Sequence, residues 1–220
     1  MSKEYWDKVW SLQRSYLNKN KETVPDFPWD IGTHDKNLEL VLDMLKPQTV
    51  LELGCGSGND ARYMEKNNIS VTALDISKYA IEKAQSYCET TLIDYQCVDF
   101  MQYSAPKKFH MVYDRGYIHN QPKYLLASIF HKIYHSLEDN GYCVIIAGNY
   151  NDDSGPGTGT KPTPMSLKIV EHFSIPYFKI KSVNEIVFRL NSNFIDGVGW
   201  IFVLEKRNTI DKNILNRISN

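Results

Sequence analysis

Cysteine is scarce and unpatterned: Cys55, Cys88, Cys97 and Cys143 are the four in 220 residues, and no two form a C-x-x-C pair. That spacing suits reduced packing thiols rather than a zinc site or a disulfide scaffold. An excess of either charge is missing as well. Lys and Arg number 25 against 26 Asp and Glu, a net charge of −1, so no overall field draws the chain to phosphate backbones or anionic membranes. No nucleic-acid or membrane partner is expected. Nowhere do about eighteen apolar residues run together. Residues 1–17 mix Lys3, Glu4, Asp7, Lys8 and Arg14 with apolar side chains and lack the apolar core of a secretory signal. A cytoplasmic chain is the expectation. Internal repeats are absent, and the only biased stretch is one rich in glycine and proline.

What is present is the composition of a folded protein, 42% apolar and 23% charged, at a length that allows one generous domain with a sizeable core. From Lys46 onward, short β-branched runs alternate with amphipathic stretches, the pattern that lays helices on both faces of a largely parallel sheet. The expected fold is doubly wound α/β over 1–220, with an N-terminal helical cap at 1–45, a core at 46–206 and a polar, fraying tail at 207–220. Strands are expected at 49–53, 70–74, 92–98, 109–113, 142–147, 185–190 and 199–205, the last two as an antiparallel hairpin. Helices are expected at 4–17, 36–45, from Gly58 to about Lys66, from an N-cap at Ser77 to Tyr87, at 123–137 and at 165–173. A linker with Pro25 and Pro28 separates the first two helices, and 148–162 reads as a long loop.

The most informative stretch is Glu52-Leu53-Gly54-Cys55-Gly56-Ser57-Gly58, at the end of the first expected strand. Glycines two residues apart let the backbone turn sharply and approach a ligand with no Cβ in the way. A Walker loop is excluded, because its candidate lysine, Lys161, is preceded by Thr160, followed by Pro162, and entered by no strand. A dinucleotide fingerprint would place its third glycine one residue beyond Gly58. The stretch instead resembles motif I, E/D-x-G-x-G-x-G, of class I S-adenosylmethionine-dependent methyltransferases. The resemblance implies S-adenosylmethionine as cofactor and a Rossmann-like seven-stranded sheet with an antiparallel last strand. A methionine tail in place of a pyrophosphate removes the need for a phosphate-binding helix N-terminus, which agrees with the difference in spacing.

In that family Glu52, Gly54, Gly56 and Gly58 would bind the cofactor. Asp75 ends the second strand, where its carboxylate can take both ribose hydroxyls, with Ile76 beside it. Asp99 would take a hydrogen bond from the adenine amino group while Phe100 packs on the ring. Asp114 ends the fourth strand, facing the cleft in which substrate and sulfonium meet. For any one of these acids a helix cap or a solvated loop position is the competing reading.

Trp6-Asp7-Lys8-Val9-Trp10 and Pro28-Trp29-Asp30-Ile31-Gly32 resemble the W-x-x-x-W and P-W-D-x-G elements of the thiol, halide and thiopurine methyltransferase family. Tyr113-Asp114-Arg115-Gly116 is similar to the W-D-R-G of its thiopurine branch, as is the run from Ser154-Gly155-Pro156 to Trp200. The likeness implies a cap over the cofactor with Trp6, Trp10 and Trp29 near its methionine end, where an aromatic face attracts a sulfonium by ~0.5 to 2 kcal/mol. Packing alone is the alternative for Trp6 and Trp10. The pattern departs from that branch at His119-Asn120, where the family has an apolar pair, and no arginine clearly matches its second substrate-side arginine, Arg189 being the nearest.

Methyl transfer from a sulfonium demands alignment and exclusion of water more than it demands a metal. A thiol with a pKa near ~8.5 is partly ionised at neutral pH, and Arg115 is the candidate cation to complete the ionisation. His119 is the candidate proton acceptor, with packing as its alternative, and Tyr117 the candidate pocket wall. His131 and His135 stand four apart, but Lys132 occupies the place a zincin gives to glutamate, so a solvated helix face is expected. The loop from Gly155 to Pro164 reads as a lid. The expected function is transfer of a methyl group to a small-molecule thiol or other soft nucleophile, by a monomer or dimer. The competing expectations are oxygen or nitrogen methylation, nicotinamide redox chemistry, and cofactor binding without turnover. A nucleic-acid methyltransferase is disfavoured, since Asp114-Arg115-Gly116-Tyr117 stands where a [DN]-P-P-[FYW] run would be.

Overall fold

Residues 2–20, 27, 29–87, 92–148, 165–190 and 196–218 are described by a computed structural model, with side chains omitted at 12–20 and 216–218. The chain divides into two compact units, Met1–Ser104 with Arg189–Asp196, and Ala105–Phe188 with Gly197–Asn220. The expected linker prolines Pro25 and Pro28, Cys88, and all of the long loop except Gly148 lie outside the described residues.

The first unit holds α1 (Lys3–Asn20), α2 (Lys36–Leu45), β1 (Thr49–Leu53), α3 (Asn59–Lys66), β2 (Ser70–Asp75), α4 (Lys78–Ser86) and β3 (Ile93–Cys97). Strand β2 pairs in parallel with β1 on one side and with β3 on the other, in a register that sets Leu53 beside Leu74 and Asp75 beside Cys97. Val50, Leu51 and Leu53 are fully buried, as a strand covered on both faces requires. Each such side chain contributes roughly 1.5 to 3 kcal/mol of transfer free energy. Helix α2 starts where Asp35 Oδ1 accepts the Asn37 N–H (2.9 Å), and the Asp35 N–H donates to Asp60 Oδ1 (2.7 Å), tying α2 to the first turn of α3.

Helix α4 starts after an N-cap at Ser77, as the sequence predicts, but the carboxylate that caps it comes from elsewhere. Ser77 is its N-cap but accepts no capping hydrogen bond through its side chain. The Ser77 hydroxyl donates to Asp7 Oδ1 (2.8 Å), and the Lys78 N–H donates to the same oxygen (3.1 Å). A carboxylate on α1 therefore satisfies an orphan donor of α4, about seventy residues along the chain, and sits at its positive end. Partial burial pushes the Asp7 carboxyl up, but Lys3, Ser77 and Lys78 outweigh it and hold the group below its ordinary range.

The second unit holds β4 (Phe109–Arg115), 3-10 turns at Ile118–Asn120 and Lys123–Leu125, α5 (Leu126–Ser136), β5 (Leu137–Gly148), α6 (Leu167–Ser174), β6 (Phe178–Phe188), β7 (Gly197–Lys206) and α7 (Lys212–Ile218). Strand β4 pairs in parallel with β5, while β7 is antiparallel to both β5 and β6. The seven strands follow the order β3-β2-β1-β4-β5-β7-β6, the doubly wound arrangement with an antiparallel last strand that the sequence predicts.

Two strands start five or more residues before their expected points, and one helix is added. Strand β5 starts at Leu137 rather than at 142, because a register shift between Phe109 and Met111 lets the pairing resume after the turn at left-handed Asn140. Strand β6 starts at Phe178, seven residues before the expected point. Lys179 and Lys181 are its exposed alternating residues, the charged dressing of an edge strand, and they mask the apolar period. The tail carries a helix: Asp211 Oδ1 accepts the Asn213 and Ile214 N–H groups (3.1 and 3.2 Å) and caps α7. Cys55 and Cys143 are buried and Cys97 is exposed, all three as free thiols. Among the described residues no helix is long and apolar enough to cross a membrane.

The shared cap generates a prediction. Asp7→Ala should lower unfolding stability by about 1 kcal/mol at neutral pH, read from the urea midpoint, since it strips α4 of its carboxylate partner. An unchanged midpoint would show that the contact between α1 and α4 carries no weight.

Candidate functional site

In the first unit the site is built on the turn from β1 into α3. The Cys55 N–H donates to Leu74 O (2.9 Å) and the Gly58 N–H to Cys55 O (2.8 Å), which folds Gly54 to Gly58 over the carboxyl ends of β1 and β2. Gly56 and Gly58 both have left-handed backbone, φ 53° and 72°. A Cβ on Gly58 would run into the Tyr95 hydroxyl, and one on Gly56 would lie 3.2 Å from Cζ2 of Trp10. The loop is therefore glycine for two reasons, conformation and close approach. Gly54 shares the left-handed backbone.

Asp75 is the electrostatic centre of this turn. Its Oδ2 accepts the Gly56 N–H (3.0 Å) and its Oδ1 the Ser77 N–H (2.9 Å), leaving further lone pairs on each oxygen. Burial pushes its pKa up to about 6, against the pull of those backbone donors. Glu52 is buried at the end of β1. Burial first, then the charges of Glu52 and Asp75, raise the Cys55 thiol well above its ordinary value, so Cys55 is an inert packing group. Ile76 follows β2, half-buried. Asp99 follows β3 and turns its Oδ1 back onto the Met101 N–H (2.8 Å). Phe100 is only 2% exposed and packs into the core.

The N-terminal aromatics gather into one cluster. Trp6 meets Trp29 edge-on (5.9 Å between centroids), Phe27 stacks on Trp29 (4.7 Å), and Trp10 meets Phe27 edge-on (5.6 Å). Trp10 is buried against the glycine loop while Trp29 is 37% exposed. Phe27 was not legible as a member of this group, because it lies outside the W-x-x-x-W and P-W-D spacings.

In the second unit the exit of β4 forms a tight turn. Asp114 is fully buried, and its Oδ1 accepts the Tyr117 N–H (2.7 Å) and the Ile118 N–H (3.2 Å). Burial pushes its carboxyl up to about 7. Its described hydrogen bonds are to its own turn. That turn carries His119, 5% exposed, with Nδ1 buried and without a hydrogen-bond partner among the described residues. Burial, then the Arg115 charge, lowers the His119 pKa to about 4. The poise near neutrality expected from an ordinary histidine is therefore corrected: the imidazole is neutral throughout the physiological range. Phe188, at the end of β6, lies 5.2 Å from the Arg115 guanidinium and 6.2 Å, edge-on, from His119. Phe188 is not among the expected site residues, since the sequence places it inside a strand at 185–190, whereas the structure sets it at the end of β6. Tyr117 is half-buried on the same turn. His131 and His135 are exposed on α5 with Nε2 atoms 3.2 Å apart, and among the described residues no group of three His, Cys, Asp or Glu is placed to hold a metal.

The loop and Asp75 fit an adenosyl cofactor with an amino-acid tail: the glycines admit close approach, and the carboxylate retains lone pairs for ribose hydroxyls. Asp75→Ala should weaken binding of S-adenosylhomocysteine by roughly a hundredfold in titration calorimetry, the loss of two hydrogen bonds to a charged acceptor. Wild-type affinity in that variant would defeat the assignment. Because the ionised carboxylate is the better acceptor and its pKa is about 6, affinity should be about tenfold weaker at pH 5 than at pH 7. A flat profile in the wild type would place the ribose elsewhere.

Comparison with known proteins bears on the fold and the family. Residues 50–141 match the family described as methyltransferase domain. Sterol 24-C-methyltransferase erg-4 of Neurospora crassa is 30% identical over 134 residues, covering 56% of this chain but only 35% of that protein. A structure solved for the conversion of a disulfide bond into a thioacetal group during echinomycin biosynthesis superposes with a TM-score of 0.77 at 19% identity, over 99% of this chain and 97% of that one. The N-methyltransferase NodS from Bradyrhizobium japonicum, in complex with S-adenosyl-L-homocysteine, gives 0.69 at 16% identity over 92% and 100%. Motif, strand order and family match agree: residues 50–141 match a methyltransferase domain, and the seven-stranded sheet with its antiparallel last strand is the Rossmann-like fold of S-adenosylmethionine-dependent methyltransferases.

Proposed function

We propose that this chain transfers a methyl group from S-adenosylmethionine to a small-molecule acceptor that ionises readily, a thiol or another soft nucleophile of the kind used by the thiol, halide and thiopurine methyltransferases. The similar proteins are named for a C-methylation, an N-methylation and a disulfide-to-thioacetal conversion, so the acceptor atom follows from this chain's own residues rather than from the fold. In this reading Glu52, Gly54, Gly56, Gly58, Asp75, Ile76 and Asp99 hold the cofactor, and Trp6, Trp10 and Trp29 cover its methionine end, while Phe100, packed in the core, and Asp114, engaged by its own turn, shape the fold rather than touch the ligand. When bound, the cofactor supplies an activated methyl group and a good leaving group. Arg115, Tyr117 and His119 handle the acceptor.

The observation that carries the reading is the pairing at the β4 exit of a cation with a neutral imidazole. Arg115 always bears its charge and favours the ionised form of a nearby acidic nucleophile. His119, lowered to about 4, is too weak a base to take a proton from a hydroxyl, and Asp114 is committed to the turn. A thiol needs no such base, because it is partly ionised at neutral pH and a nearby cation such as Arg115 favours its thiolate. The near-zero net charge supports a small acceptor over a nucleic acid.

A methyl-transfer screen with labelled cofactor against thiols, halides, phenols and amines tests the proposal. Thiols should be the preferred acceptors, and Arg115→Ala should lower kcat for them by about a hundredfold while cofactor affinity stays within about twofold. Transfer to phenols or amines alone, or an Arg115→Ala protein with full turnover, would contradict it.

A further inference from the structure

Asp30, in the Pro28-Trp29-Asp30-Ile31-Gly32 element, takes no part in the site as assigned so far, yet it is among the most heavily engaged carboxylates of the first unit. It is 6% exposed. Its Oδ1 accepts from the Ser57 hydroxyl (3.1 Å), the Asn59 side-chain amide (3.0 Å) and the Gly32 N–H (3.3 Å). Its Oδ2 accepts from the Lys83 ammonium (2.9 Å), whose side chain is itself 14% exposed. That ammonium lies 5.7 Å from the Trp10 ring centroid and 6.0 Å from that of Tyr87.

These contacts close a circuit. Asp30 binds Lys83, Lys83 lies over Trp10, Trp10 packs on Gly56, and Ser57 beside Gly56 returns to Asp30. Arg62 braces the same corner, donating to Ser57 O (2.7 Å) and Asn59 Oδ1 (2.6 Å). Burial pushes the Asp30 carboxyl up, but Lys83 and the other donors more than offset it and keep the group below its ordinary range. A buried ion pair contributes little net stability, because the desolvation cost cancels most of the attraction. What four converging donors do supply is a single geometry, and two of them sit on Ser57 and Asn59, at the end of the glycine loop and its entry into α3.

We propose that Asp30 is a positioning residue for cofactor binding: its carboxylate locks the Gly54 to Gly58 loop, Trp10 and α4 into one arrangement that receives the cofactor's methionine end. The proposal rests on the assignment of the glycine loop to S-adenosylmethionine. It gives the aspartate of the P-W-D element a role distinct from that of its tryptophan, acting through Ser57 and Lys83 rather than by touching the ligand.

Three full-length variants, Asp30→Asn, Lys83→Met and Ser57→Ala, test it with two readouts. The first is the affinity and dissociation rate of S-adenosylhomocysteine, by calorimetry and stopped-flow tryptophan fluorescence. The second is hydrogen exchange of the backbone amides of residues 56–59 in the ligand-free protein. Asp30→Asn should raise Kd by about thirtyfold, mostly through faster dissociation, and should speed exchange in the loop while β1 and β2 keep their protection. Lys83→Met and Ser57→Ala should each show smaller losses, of about three- to tenfold, and the Asp30→Asn/Lys83→Met double variant should be no worse than Asp30→Asn alone, because both break the same contact. Unchanged Kd and loop exchange in any folded Asp30 variant, or exchange accelerated equally in every element, would overturn the positioning role. Should Asp30→Asn fail to fold, unaltered Kd and loop exchange in both Ser57→Ala and Lys83→Met would do the same. Wild-type protein that does not bind S-adenosylhomocysteine would instead defeat the cofactor assignment, while the exchange measurement would still decide whether Asp30 holds the loop.

Discussion

The hydrogen bond from the Gly56 N–H to Asp75 Oδ2 joins the turn after β1 to the last residue of β2, and the rest of the first unit is arranged around it. It can form only because Gly54, Gly56 and Gly58 all take left-handed backbone, and because the parallel register sets the ends of β1 and β2 side by side. The same burial that protects the bond raises Asp75 to about 6. A folded-state pKa raised above the ordinary carboxylate value means that this group favours the native state most in acid, and that its contribution is lost as pH rises through about 6. The proposed bond to ribose hydroxyls is best served by the opposite protonation state. The site therefore carries an unfavourably buried charge at neutral pH, and ribose hydroxyls are the kind of donor that would compensate it.

The N-terminal segment follows from that constraint. Trp10 is seated on Gly56 because no Cβ stands between them, and Asp7 reaches the first turn of α4 because Ser77 turns its hydroxyl outward to meet it. Both contacts depend on the loop and on α4 starting where they do. In the second unit a parallel logic operates at smaller scale: buried Asp114 fixes the turn, the turn places His119, and Phe188 lies against both His119 and Arg115. Gly199 helps to seat Phe188, since a Cβ there would lie 2.8 Å from the Cβ of Phe188. The outcome is a cation and a neutral imidazole on one turn, a pairing that suits an acceptor able to ionise by itself.

Much of this is legible in the sequence alone. The β1 loop announces itself through glycines at alternate positions, and β2 and β3 through short β-branched or apolar runs, because backbone conformation and burial act locally on the sequence. The contacts that bind the segments together were not legible. Asp7 caps a helix that starts 71 positions later, and Asp30 meets Lys83 across 53. Nothing in local spacing distinguishes such acids from solvated ones. The edge strand β6 was shortened because alternating lysines look polar until the strand's edge position in the sheet is known. The tail helix α7 has a local cap signal in Asp211, but the bond that anchors its start, from the Asp211 N–H to Pro176 O, is tertiary and leaves no mark in local spacing. His119 was read at its ordinary pKa because sequence carries no burial, and burial is what lowers it.

The central claim is that an adenosyl cofactor with an amino-acid tail lies along the Gly54 to Gly58 loop with its ribose on Asp75. A crystal structure of the chain soaked with S-adenosylhomocysteine tests this most directly. The account predicts density for the nucleoside along that loop, with both ribose hydroxyls within hydrogen-bonding reach of the Asp75 carboxylate. A loop left bare at saturating ligand, or one that takes up a different nucleotide in its place, would contradict it.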